Sequence, residues 1–180
     1  MPRYVAFLRA INVGGHTVKM DRLRKLFEKM GFDDVETFIA SGNVIFRSKS
    51  KDTRALASKI EKRLAAALGY EVATFVRTDE EVAAIARRLP FDEAAHKTAG
   101  ALVVGFLVDA PGASAVKALM GLGTGIDRFA VHGTEIYWLC RNQQSESTFS
   151  NALFEKTLRL KSTFRNMNTL ARLAEKYPCK

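Results

Sequence analysis

The chain has 180 residues, 47% of them hydrophobic, and a formal charge of +9, enough for one ordinary domain or two small ones with a sizeable core. It has no apolar run of about 18 residues to cross a bilayer, and the apolar start of MPRYVAFLRAINVGG is short and interrupted by Arg9, unlike a secretory leader. Two cysteines, Cys140 and Cys179, stand in no metal-type spacing, so the expectation is a cytoplasmic protein with free thiols, no metal and no cofactor.

Tyr4–Ile11 alternates like a strand. Met20, Leu23, Phe27 and Met30 recur at helical spacing, and Gly31 closes that helix. Val35–Ala40 and Val44–Ser48 are β-rich runs around Ser41-Gly42-Asn43, which reads as a three-residue hairpin loop. Leu56, Ile60, Leu64 and Leu68 predict a second helix between Asp52 and Gly69, and Glu71–Thr78 a strand. The order is β-α-β-β-α-β, the ferredoxin-like plan.

Thr78-Asp-Glu-Glu81 is a capping box opening a helix over Asp79–Arg88, and Phe91–Gly100 reads as an irregular joint. Ala101–Val108 is a strand, Asp109–Gly112 a turn, Ser114–Met120 a short helix and Gly121–Gly125 a loop. Phe129–His132 and Glu135–Cys140 form a hairpin around Gly133, and Thr148–Leu158 and Asn168–Tyr177 are the last helices. The expected fold is therefore α+β: a complete ferredoxin-like unit over 1–78, a helix and connector over 79–100, and an incomplete second copy over 101–180 with C-terminal helices.

The positive charge is uneven. Residues 1–31 and 47–65 each carry seven Lys and Arg against two Asp and Glu, and residues 145–180 carry seven against three. Such a field favours anionic partners: a small phosphorylated or nucleotide-like ligand, or nucleic acid held along basic faces at 19–31, 47–63 and 156–172.

Three stretches carry the candidate ligand contacts. In Arg9-Ala-Ile-Asn12-Val-Gly14-Gly15, the paired glycines can expose backbone N–H groups to an anion. They can equally be the bend a strand needs before a helix, and Asp21 at that helix start opposes an anion. No G-x-G-x-x-G or P-loop pattern is present. In the ferredoxin-like topology the first two strands run parallel, so this loop and Ser41-Gly42-Asn43 share a sheet edge. The third stretch is Ser162-Thr-Phe-Arg165-Asn166-Met-Asn168-Thr169, where Asn168 or Thr169 caps the last helix and Arg165 sits near its positive end.

No catalytic set emerges. His16, His96 and His132 are far apart, no H-E-x-x-H or G-x-S-x-G occurs, and His96 reads as a solvated loop residue. An RNA-recognition sheet needs stacking aromatics on its central strands, and Tyr4 and Phe7 face opposite sides. An enzyme of unidentified reaction stays as an alternative to ligand and nucleic-acid binding.

Arg9-Ala-Ile-Asn-Val-Gly-Gly15, Ser41-Gly42-Asn43-Val44 and Phe164-Arg-Asn-Met-Asn-Thr169 together resemble the bacterial domain of unknown function family 1697, with its R-G-I-N-V-G-G, S-G-N-V-x-F and T-R-N-x-N-T motifs. The resemblance runs essentially end to end and implies two ferredoxin-like units. It implies no activity. Ala10 stands where the family has glycine, and Arg141–Ser147 lacks the expected glycine and Ser-Lys.

Overall fold

A computed structural model describes residues 1–12 and 15–180. The first sheet is built from β1 (Arg3–Leu8), β2 (Asp33–Phe38), β3 (Asn43–Arg47) and β4 (Thr74–Thr78), in the order β2-β3-β1-β4. Helices α1 (Met20–Lys29) and α2 (Thr53–Leu68) complete its β-α-β-β-α-β plan. Then come α3 (Asp79–Arg87) and α4 (Glu93–Thr98). The second sheet contains β5 (Ala101–Phe106), β6 (Asp127–His132), β7 (Glu135–Cys140) and β8 (Thr163–Asn166), in the order β6-β7-β5-β8. Its helices are α5 (Ala113–Met120) and α6 (Asn151–Leu158), and α7 (Met167–Lys176) follows β8. The chain is thus two ferredoxin-like units. By packing, residues 1–84 with 173–180 form one compact unit and 85–172 the other.

Period-two alternation sends Tyr4, Ala6 and Leu8 of β1 and Val44 and Phe46 of β3 to the helical side of the first sheet. There they meet Leu23 and Phe27 of α1 and Leu56, Ile60 and Leu64 of α2. Each large side chain buried this way contributes roughly 1.5–3 kcal/mol. Asp52 caps α2 by accepting from the Ala55 N–H at 3.0 Å, and Gly69 ends it at φ +82°. The predicted capping box of α3 forms: Thr78 and Glu81 exchange side chain-to-backbone bonds of 3.1 and 2.8 Å.

In the second unit Trp138, Phe149, Phe154 and Phe164 make the aromatic core, with Trp138 and Phe149 centroids 4.8 Å apart. Asp127 is a buried carboxylate in this unit. It accepts from Trp138 Nε1 and Ser147 Oγ at 2.8 Å each and from Thr124 Oγ1 at 2.7 Å. Burial pushes its pKa up, but the hydrogen bonds outweigh that and hold it below the ordinary carboxylate value.

Four expectations change. The second copy is not missing its fourth strand: Thr163–Asn166 pairs antiparallel with β5, and Phe164 lies against Gly105, where a Cβ would fall 2.5 Å from its ring. The Phe91–Gly100 joint contains α4, capped by Asp92, and His96 lies in that helix, its Nε2 accepting from the Phe91 N–H at 3.1 Å. The first hairpin loop has four residues, since Phe38 and Asn43 are a cross-strand pair. Finally, α7 starts at Met167, so neither Asn168 nor Thr169 caps it; Asn166 Oδ1 takes the Asn168 N–H at 3.0 Å.

The end of β1 and the end of β5 are anchored alike. The Leu8 N–H donates to Gly42 O, and the Leu107 N–H to Thr134 O, both at 2.9 Å. Aligning the units on these bonds makes Val5 equivalent to Val104. Opposite them on the fourth strands stand Arg77 and Arg165, both buried.

Candidate functional site

Where β1 ends, three segments of the first unit are tied together, as the topology predicts. The Leu8 N–H reaches the hairpin loop at Gly42 O, and the Arg9 N–H reaches Ala73 O ahead of β4, both at 2.9 Å. Asn12 Nδ2 donates to Ala40 O, and its Oδ1 accepts from the Val18 N–H, both at 2.8 Å. Asn43 is fully buried, and its Nδ2 donates to Phe38 O and Ser41 Oγ at 2.9 and 2.8 Å. Asn12 and Asn43 therefore use their amides to hold loops in place. Gly42 needs its positive φ of +83°, and a Cβ there would fall 2.7 Å from Ile11 Cγ2.

What this edge shows to solvent is different. Arg9 is half-buried and Ser41 exposed. Gly15 has φ +84°, with no atom within 4 Å of where a Cβ would sit. Gly14 lies outside the described residues. The exposed His16 ring stacks on Tyr70, with centroids 3.7 Å apart and planes at 21°. Tyr70 in turn donates to Ile11 O at 3.4 Å. Sequence reasoning missed this pair, because 54 positions separate residues 16 and 70 and no periodicity links them. Ala10 adopts φ +52°, in the left-handed region that favours glycine.

The late motif belongs to the second unit. Arg165 lies within β8, where its Nη1 donates to Thr163 Oγ1 at 2.7 Å and Phe164 O at 2.9 Å. Burial lowers its guanidinium pKa to about 10. Asn166 and Asn168 are exposed at the start of α7 and bonded to each other.

The opposite end of the first sheet holds a second polar region. Arg3 and Arg47 are directly opposite one another on β1 and β3, and both line a cleft of about 480 Å³ with Lys51, Thr78, Asp79 and Glu80. On α1 much of the basic charge is already paired: Arg24 with Asp21 and Glu28, and Lys25 with Asp21. Among the described residues no group of three His, Cys, Asp or Glu could hold a metal ion. No helix among them is long and apolar enough to cross a membrane, and Cys140 and Cys179 are free thiols.

The chain matches the family described as "Protein of unknown function (DUF1697)" over residues 1–137. Among solved structures, it is similar to the conserved bacterial protein SP0830 from Streptococcus pneumoniae. The two are 24% identical, with 98% of each chain covered and a TM-score of 0.73; at that identity the likeness shows the fold alone. No curated protein matches the chain.

Proposed function

Because the chain belongs to the DUF1697 family, whose members are described only as proteins of unknown function, we propose a function from its own geometry: binding of a small anionic, nucleotide-like ligand at the loop edge of the first unit. The observation that carries this reading is the His16–Tyr70 stack, on the loop edge where Arg9 follows β1 and the positive-φ Gly15 precedes His16. A flat, solvent-facing imidazole seated on a phenol ring extends stacking to a base. Arg9 and exposed N–H groups at a positive-φ glycine suit a phosphate. Ser41 adds a hydroxyl to the same edge. Asn12, Asn43 and the Leu8–Gly42 bond tie the end of β1 to the hairpin loop that carries Ser41.

Calorimetric titration of the full chain with a nucleoside monophosphate tests this. Saturable binding is expected, weakened about tenfold or more by Arg9→Ala, the scale of one lost charged hydrogen bond. Tyr70→Leu should reduce the preference for the nucleotide over its ribose phosphate. Absence of binding, or binding indifferent to Arg9→Ala, removes the reading.

A further inference from the structure

The cleft at the opposite end of the first sheet carries a separate inference, independent of the loop-edge reading. Alternation along β1 puts Arg3 on the face away from the helices, and the register sets Arg47 directly across from it. Two like charges directly opposite on a sheet repel. Both side chains are largely withdrawn from water, 16% and 24% exposed.

Their protein partners are few. Arg3 Nη1 donates to Pro178 O at 3.1 Å and meets Asp79 only at 4.0 Å. Its guanidinium carbon lies 5.8 Å from the centre of the Tyr177 ring. Arg47 Nη1 donates to Met1 O at 2.7 Å, and its Nε faces Asp34 at 3.1 Å. Among the described residues, no hydrogen bond engages the Nη2 group of either arginine. An arginine carries five N–H donors in a fixed fork. Two such forks side by side, each with unused donors, suit a tetrahedral oxyanion.

The surroundings narrow the ligand. Lys51 is exposed at the same cleft and adds a third cation. Asp79 and Glu80, at the start of α3, line the same cleft, Asp79 on the Arg3 side. That helix end is not itself an anion site, because Thr78, Asp79 and Glu81 already engage its first N–H groups. Asp79 and Glu80 would repel a ligand that is anionic throughout, but they accept hydrogen bonds from hydroxyls. The volume of about 480 Å³ lies within the range of small-molecule sites.

We propose that this cleft binds the phosphate monoester of a small polyol, with the phosphate between Arg3 and Arg47 and beside Lys51, and the hydroxyls toward Asp79 and Glu80. Titration calorimetry on the full chain with a hexose phosphate, inorganic phosphate and the free hexose tests it. The ester is expected to bind saturably, inorganic phosphate more weakly, and the free hexose not at all. Arg47→Gln should abolish ester binding, and Lys51→Glu should weaken it about tenfold, as expected for a charge-assisted contact. The Lys51→Glu effect should persist in an Arg9→Ala background, which separates this site from the loop edge. If Arg47→Gln unfolds the chain, the exposed Lys51→Glu carries the test alone. No ester binding, or binding indifferent to Lys51→Glu, overturns the proposal. Inorganic phosphate binding as tightly as the ester overturns the role given to Asp79 and Glu80.

Discussion

At the cross-strand position where the first unit sets Arg3 against Arg47, the second sets Leu102 against Leu139. The two sheets share their strand order, the anchor at the end of the first strand and a buried arginine on the fourth strand. At the anchored edge, Arg9 of the first unit corresponds to Val108 of the second, and Ala10 to Asp109. Glu135 stands where the first unit has Asn43. The backbone ladder is the same whichever side chains it carries, so one scaffold sets two arginines opposite one another in one copy and two leucines in the other. The second copy puts its polar chemistry inside, at Asp127.

The largest test of that contrast is Asp127→Ala. It leaves the buried indole N–H of Trp138 without its acceptor and releases Ser147 and Thr124, costing about 3 kcal/mol. Urea unfolding read by Trp138 fluorescence reports it in the second unit, since the chain has 1 Trp. The same carboxyl gives the unit an acid limb. Its folded pKa is depressed, so its contribution is complete above the unfolded value of about 3.9 and is lost as pH falls through the folded value. Asp127→Asn should remove that part of the pH dependence; an unchanged acid limb would show that other carboxylates cause it.

A smaller effect compares the two hairpin turns. Gly42 and Gly133 both have positive φ, but only Gly42 is enclosed, by Ile11 and Leu8. Gly42→Ala should cost about 2–3 kcal/mol, strain and overpacking together, whereas Gly133→Ala should cost about 1 kcal/mol from strain alone. Equal shifts in the chemical denaturation midpoint would mean that the enclosure of Gly42 carries no energy. Smallest is Ala10→Gly, which relieves a left-handed alanine at φ +52° and should stabilise the chain by about 0.5–1 kcal/mol. A thermal midpoint by circular dichroism that fails to rise would deny the strain.

Much of the first unit was legible in its sequence. Leu23 and Phe27, then Leu56, Ile60 and Leu64, show their helices by spacing alone, and Asp52 and Thr78 mark helix starts with local bonds. The convergence of the Arg9 and Ser41 segments followed from topology. The split of roles within it did not, because Asn12 and Asn43 look like ligand residues until their partners Ala40, Val18 and Phe38 are known. The late motif reads as a helix cap because Thr163–Asn166 has only four residues, two of them Arg and Asn.

The sequence by itself determined most of the helices, the strand order of the two-unit plan and the positive charge, because periodicity, capping and turn chemistry act within a few residues of one another, whereas α4 and the length of the first hairpin loop escaped it. Only tertiary structure decided that residues 163–166 are a strand, that His16 lies on Tyr70, and that Arg3 faces Arg47 in a cleft. Each of these depends on pairing between segments far apart in the chain. Register decides the two strand pairings, and a shift of one residue would send every side chain to the other face.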